Sequence, residues 1–241
     1  SKALTTPERA GIAMQPQRGY KIFEEWGNWL FAAGGSIYDS EGNVTLDTPE
    51  AKRALEAYID TYTTAAPANS LNWSMDEAQR SVSANQSASM INYNWQLPAL
   101  NEPGSGPAAG NIKLAPIPGG KQVLGSWSWA IPTNSAAPDA AWAFVSWLTA
   151  KPNDVVRTEK GGAAIRQSTL QNPAVLEGRY GADYYRTVEQ LLANSAPLSQ
   201  GPSGEEMIQA VGTELNEAVA GTKSVEDALA AAQAEAERIQ G

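Results

Sequence analysis

The chain has 241 residues, enough for one large domain or two small ones with a buried core. Its 26 acidic residues outnumber 17 basic ones, and a formal charge of -9 repels phosphate backbones, so nucleic acid is not an expected partner. Cysteine and histidine are both absent, which excludes disulfides, thiolate chemistry, Ser-His-Asp catalysis and His-based zinc sites.

In chain order, Gly11-Ile12-Ala13-Met14 is a short apolar run that reads as a strand. Residues 20–33 follow as a helix, with Ile22, Trp26, Trp29, Leu30 and Ala33 near helical spacing and Gly34-Gly35 as its stop. Asp39-Ser-Glu-Gly42-Asn43 is turn chemistry. Thr48-Pro49-Glu50 supplies a capping hydroxyl, a first-turn proline and an acid, and Ala51, Leu55, Tyr58, Ile59 and Tyr62 then line one face of a helix. Ser74-Met-Asp-Glu77 is a capping box that opens another helix.

Ala88 to Tyr93 reads as a strand that delivers Asn94-Trp95 to its end. Residues 98–111 are a Gly/Pro/Ala-rich loop. Ile112 to Ile117 and Val123 to Ile131 read as an outgoing and a returning strand around Pro118-Gly119-Gly120. Residues 139–149 are apolar nearly all round, which predicts a buried helix. After a break at Gly161-Gly162, residues 184–194, 205–220 and 225–239 read as three further helices, the last capped by Ser224. Strands and helices alternate early and helices dominate late, which predicts an α/β sheet domain with a helical C-terminal section.

Eight tryptophans give the chain its main chemical handle. Trp26, Trp29, Trp142 and Trp147 lie at core-like positions within helices, and the expected role is packing. Trp95 and Trp127 differ: each sits near a strand end among small or polar neighbours, where open α/β sheets bind ligands. A flat indole suits the apolar C–H face of a sugar, while Asn, Gln, Ser and Arg read its hydroxyls; an edge or interface tryptophan is the competing account. Asn94 stands beside Trp95. Arg166 presents a planar donor fork in a polar loop, suited to a ligand or to an ion pair. Tyr20, before the Trp26 helix, can stack on a ligand or support its own helix. Glu24-Glu25, Asp76-Glu77 and Glu205-Glu206 are adjacent pairs that point about 100° apart on a helix, so they make no catalytic dyad. No metal, phosphate-loop or nucleophile motif occurs, and no cofactor is expected.

An ordered series of segments resembles the extracellular solute-binding proteins of carbohydrate ABC importers, the family that includes maltose-binding protein. The series comprises the helix ending at Ala33-Gly34-Gly35, then residues 39–51, Asn72 to Glu77, Met90 to Trp95, Gly125 to Ser135 with Ala140 to Phe144, Gly161 to Ser168 and Val225 to Leu229. The resemblance implies a type II periplasmic-binding-protein lobe, a mixed sheet flanked by helices, lacking most of the first lobe. Residues 1–128 and 169–241 would then belong to the second lobe. Residues 129–168 would be a crossover segment that normally belongs to the first. It also implies a sugar, sugar alcohol or glycoside as ligand, a membrane permease as partner, a periplasmic or extracellular location, and no catalysis. Trp95 and Trp127 would line the cleft, with Arg166, Tyr20 and Asn94 near it.

The chain departs from the family pattern at Ala164-Ile165, where a proline and a threonine often precede the arginine, and at Met207 and Gln209, where some relatives carry an aromatic. The N-terminal residues have no apolar run of signal-peptide type. With one lobe missing, the apolar helix at 139–149 is expected to be covered by dimerisation, segment exchange or repacking. A carbohydrate-active enzyme using two carboxylates is the rival reading, and it needs a facing pair that the sequence does not nominate. A module without a small ligand would bury Trp95 and Trp127 against protein.

Overall fold

The computed structural model describes residues 1–199 and 201–241. Its helices are α1 (Tyr20–Ala32), α2 (Pro49–Ala65), α3 (Met75–Ser83), α4 (Leu97–Leu100), α5 (Pro138–Leu148), α6 (Lys151–Glu159), α7 (Gln167–Leu170), α8 (Pro173–Leu176), α9 (Gly181–Ala193), α10 (Gly204–Val219) and α11 (Val225–Gln240). The helix starts follow the capping chemistry. Thr48 Oγ1 accepts the Ala51 N–H at 3.2 Å, Glu77 accepts the Ser74 N–H at 3.0 Å, and Ser224 Oγ accepts the Asp227 N–H at 3.0 Å. These caps remove the orphan donors that would otherwise fray each first turn.

The sheet is sparser than the apolar runs predict. Among the described residues only β1 (Gln122–Val123) and β2 (Ser195–Ala196) are regular strands, paired in parallel with Gln122 opposite Ser195. The run at 10–13 meets 86–90 through isolated parallel bridges, with Ala88 N–H to the Ala10 carbonyl at 2.9 Å and Ala13 N–H to the Ser89 carbonyl at 2.8 Å. The expected strands at 112–117 and beyond Val123 make no ladder among the described residues. Pro116 and Pro118 withdraw backbone donors there, and the chain past Leu124 runs exposed with no neighbouring strand. The turn at Asp39 does close as a hairpin, with Tyr38 bridging Val44.

The main core lies between α1, α2, α10 and α11 and buries Trp26, Phe23, Leu30, Leu55, Tyr58, Leu215 and Leu229. Trp29 is half-buried and meets Tyr58 edge-on at 4.9 Å. Two glycines allow α10 to touch the start of α1. A Cβ on Gly212 would lie 1.8 Å from the Gly19 carbonyl oxygen, and Gly19 itself has φ +88°.

A second cluster packs Leu170, Val175, Tyr185 and Val188 against Val155 and Leu114. Asp154, wholly buried, organises it. The carboxylate accepts Thr169 Oγ1 at 2.6 Å and the Ile165 N–H at 3.3 Å, and pairs with Arg157 at 2.6 Å.

Helix α5 corrects an expectation. Its span is as read, yet none of its residues is buried, and Trp142, Phe144 and Trp147 are exposed. Trp142 and Trp147 therefore fill no core. An all-round apolar composition demands cover but does not say which body supplies it. Repacking onto the rest of the lobe does not occur.

Candidate ligand-binding site

The segment 88–91 ends in a short 3-10 turn, Asn94–Gln96, that presents Trp95 at the surface. Tyr93 and Trp95 stack with ring centroids 6.3 Å apart and planes 14° off parallel. The Tyr184 hydroxyl donates to the Asn94 carbonyl at 3.1 Å and pins this turn to α9. Gly125 passes over the Tyr93 ring so closely that a Cβ there would lie 2.2 Å from Cε1. Two residues on, and so within roughly 7 Å of chain reach, Trp127 leaves the same corner at 92% exposure.

Helix α1 supplies the polar floor. The Glu24 carboxylate accepts the Tyr93 hydroxyl and pairs with Lys21 at 2.7 Å. Lys21 in turn lies 5.2 Å from the Tyr20 ring centroid. Burial, then the charges of Glu24 and Glu205, push the half-buried Tyr20 phenol up. Burial, then Glu24, raises the Tyr93 phenol as well, so both remain hydroxyl donors at neutral pH. The Tyr20 N–H donates to Gln209 Oε1 at 3.2 Å, which fixes the start of α1 on α10.

Glu25 points inward. Its Oε2 accepts the Gln15 N–H and the Tyr58 hydroxyl, each at 2.6 Å. Burial outweighs those donors and pushes this carboxyl up to about 7. Behind Tyr93 a cavity of about 110 Å³ is lined by Glu24, Glu25, Asn28, Asn94, Gln122 and Leu191, among others. Its rim residues Ala115, Gly125 and Leu192 are exposed, so it opens to solvent beside the aromatic corner.

The structure thus gathers Tyr20, Asn94 and Trp95 around Glu24 and Tyr93, with Trp127 issuing from the same corner. Neither Trp95 nor Trp127 lines the cavity itself. Arg166 stands apart, its Nε and Nη2 both donating to the Thr149 carbonyl at the end of α5, at 3.0 and 2.7 Å. Sequence reasoning missed Tyr93 and Glu24. The signal available was the i, i+4 relation of Tyr20 to Glu24, which puts both on one face of α1. Glu24 and Glu25 do take separate partners, as adjacency on a helix requires, yet both reach the cavity. Among the described residues there is no acidic cluster that would hold a metal ion, and no helix is long and apolar enough to cross a membrane.

Residues 1–155 match the model of the bacterial extracellular solute-binding protein family. The chain belongs to that family. A probable amino-acid ABC transporter periplasmic-binding protein of Sinorhizobium fredii is 26% identical over 246 aligned positions, covering 97% of this chain and 54% of that protein. An erythritol/L-threitol-binding protein of Mycolicibacterium smegmatis is 32% identical over 104 positions, 39% of this chain and 21% of its own length. Among solved structures, an ABC transporter solute-binding protein from Agrobacterium radiobacter K84 in complex with ribitol has a TM-score of 0.84 at 25% identity. That superposition covers 98% of this solute-binding chain and 62% of the other. A maltose-bound T. maritima protein, MalE3, has a TM-score of 0.85 at 21% identity, covering 95% and 60%, and shows the shared fold. The α/β, type II periplasmic-binding-protein lobe expected from the sequence is the fold observed. The chain spans 54% of the length of the Sinorhizobium relative and 60–62% of the two solved chains.

Proposed function

We propose that this chain supplies most of one lobe of a substrate-binding component that captures a sugar, sugar alcohol or glycoside for an ABC importer and releases it unchanged. The observation that carries the reading is the stacked Tyr93–Trp95 pair at the end of segment 88–91, whose Trp95 ring is exposed and whose Tyr93 hydroxyl is held by Glu24. A parallel aromatic pair offers an apolar plane to a sugar ring. The carboxylate, the two phenols and Asn94 surround it with acceptors and donors for hydroxyls.

In this reading Trp95, Trp127, Tyr20 and Asn94 contact the solute. Arg166 sets the α5 terminus against its loop and approaches the solute only when the lobes close. Residues 129–168 act as the crossover segment, and the exposed face of α5 docks on the first lobe. The membrane permease of the importer is the macromolecular partner, and the location is periplasmic or extracellular. Absence of catalysis is supported by the state of the carboxylates. Glu24 is engaged by Tyr93 and Lys21, and Glu25 Oε2 by Gln15 and Tyr58, so both acids are held by protein donors.

A panel of sugars and polyols, read by thermal shift and tryptophan fluorescence, tests the reading. A solute that stabilises the protein is expected to bind about tenfold more weakly to Trp95→Ala or Trp127→Ala. Unchanged binding in both variants would remove the aromatic corner from the site.

A further inference from the structure

We propose that Gln15 is the positioning residue of the aromatic corner, and that Glu25 sets it by drawing the Gln15 N–H away from segment 88–91. This rests on the reading above and adds a control to the same site. The segment at 10–13 runs parallel to 86–90, with the Ala10 N–H donating to the Gln86 carbonyl at 2.9 Å and the Ala13 N–H to the Ser89 carbonyl at 2.8 Å. From Ala13 the next donor in that register is the Gln15 N–H, and its acceptor would be the Ile91 carbonyl. The Gln15 N–H goes instead to Glu25 Oε2 at 2.6 Å. The Gln15 side chain takes its place, Nε2 donating to the Ile91 carbonyl at 2.8 Å.

This exchange changes where segment 88–91 leads. A side-chain amide reaches farther than a backbone N–H, so the segment is held off at Ile91 rather than drawn into a ladder. Two residues on stands Tyr93, whose ring stacks on Trp95 and whose hydroxyl is held by Glu24. Upstream the segment is fixed at Ser89, whose Oγ donates to the Gly11 carbonyl at 2.7 Å, and downstream at the Asn94 carbonyl by Tyr184. Between those anchors, Gln15 sets the direction in which Tyr93 and Trp95 leave.

Glu25 makes the arrangement sensitive to protons. Its carboxylate takes the Gln15 N–H and the Tyr58 hydroxyl in charge-assisted bonds, and Glu25 and Gln15 are both buried. Protonated Glu25 accepts more weakly, and the Gln15 N–H then returns to the Ile91 carbonyl, drawing the segment in and turning the Tyr93–Trp95 stack. The charged and titratable groups acting on Glu25 are Glu24 and Lys21 on α1 and Tyr58 on α2. Tyr93 reaches it through Glu24, while β1 and α9 face the same cavity with the uncharged Gln122, Val188 and Leu191. Burial holds the Glu25 carboxyl at about 7, so the exchange falls near neutral pH.

The test is near-UV circular dichroism of the 241-residue chain, with the Trp95 contribution taken as the difference between each protein and its Trp95→Ala counterpart. The parent, Gln15→Met and Glu25→Gln are compared at pH 8.0 and pH 5.5, at a temperature where melting curves show each to be folded. The Trp95 signal of the parent is expected to fall about twofold between these pH values, with its midpoint at about 7. Gln15→Met keeps the backbone N–H and the side-chain bulk but loses the amide donor, and is expected to show the reduced signal already at pH 8.0. Glu25→Gln is expected to give one value at both. A role confined to stability would lower the melting temperature and leave the Trp95 signal unmoved. The dissociation constant of sorbitol at pH 8.0 is expected to rise about fivefold in Gln15→Met. A parent signal that ignores pH, a pH dependence that survives Glu25→Gln, or a folded Gln15→Met with parental signal and sorbitol affinity overturns the proposal. If Gln15→Met does not fold, the pH arms decide alone. If the signals move as expected while sorbitol and the wider panel bind to no variant, the positioning role stands and the sugar reading falls.

Discussion

The Tyr58 hydroxyl donates to Glu25 Oε2 at 2.6 Å across the α1–α2 contact, joining two side chains that are both buried in the main core. Tyr58 and the Gln15 N–H are the protein donors that offset the burial of this carboxylate, and they do not fully do so: the group rises from an ordinary 4.5 to about 7. A carboxyl raised in the folded state binds protons that the unfolded chain has already released. Its ionisation therefore works against folding, and stability declines as pH rises from about 4.5 to about 7, on the order of 3 kcal/mol in total. Glu25→Gln is expected to flatten that slope, so that its stability relative to the parent improves between pH 5 and pH 8. Urea unfolding of both proteins at the two pH values measures the difference, and a constant offset would contradict it.

Glu77 moves the other way. Its carboxylate accepts the Ser74 N–H at 3.0 Å and the Ser74 hydroxyl at 2.8 Å, and these bonds hold the carboxyl down at about 2. Such a group stabilises the fold above the ordinary value of 4.5, and the contribution is lost as pH falls toward 2. Glu77→Ala is expected to cost about 1 kcal/mol at pH 7 through loss of the capping box, and much less near pH 2. Denaturant midpoints at the two pH values check this.

What the sequence made legible was local. The capped helices appear within a residue or two of their predicted bounds because Thr48, Ser74 and Ser224 mark their starts by short-range chemistry. The sheet was over-read, since the apolar run at 112–117 does not reveal whether a partner strand lies beside it. The site was half legible. Trp95 and Asn94 were visible as a strand-end pair, but the bond from the Tyr93 hydroxyl to Glu24 joins residues 69 positions apart, which no local pattern encodes. Arg166 was visible as a fork in a polar loop, while its acceptor, the Thr149 carbonyl, was not.

Gly212 offers a direct probe of how α10 positions Tyr20. Its Cα faces the Gly19 carbonyl so closely that any side chain must push α1 and α10 apart. Gly212→Ala is expected to destabilise the protein by about 1–3 kcal/mol despite the better helix propensity of alanine. It should also raise the dissociation constant of a bound solute, because Tyr20 follows Gly19 in the chain and takes its position from the Gln209 contact. A variant of unchanged stability and affinity would show that the two helices have room to separate.

Helix α5 calls for the opposite expectation. Trp142 is 66% exposed and Trp147 61%, so replacing both with serine removes little buried surface and is expected to change stability by less than about 0.5 kcal/mol per site. Trp26, at 0% exposure, is the contrast: Trp26→Ala is expected to cost about 3–5 kcal/mol. The exposed apolar side chains of α5 are instead expected to govern association. With Trp142, Phe144 and Trp147 open on one short helix, the 241-residue chain is expected to self-associate at high concentration. Trp142→Ser/Trp147→Ser is expected to shift the sedimentation profile toward monomer without lowering the melting temperature. A double variant that unfolds like Trp26→Ala would mean that α5 is packed in solution, and a parent that stays monomeric at all concentrations would mean that the exposed face is not adhesive.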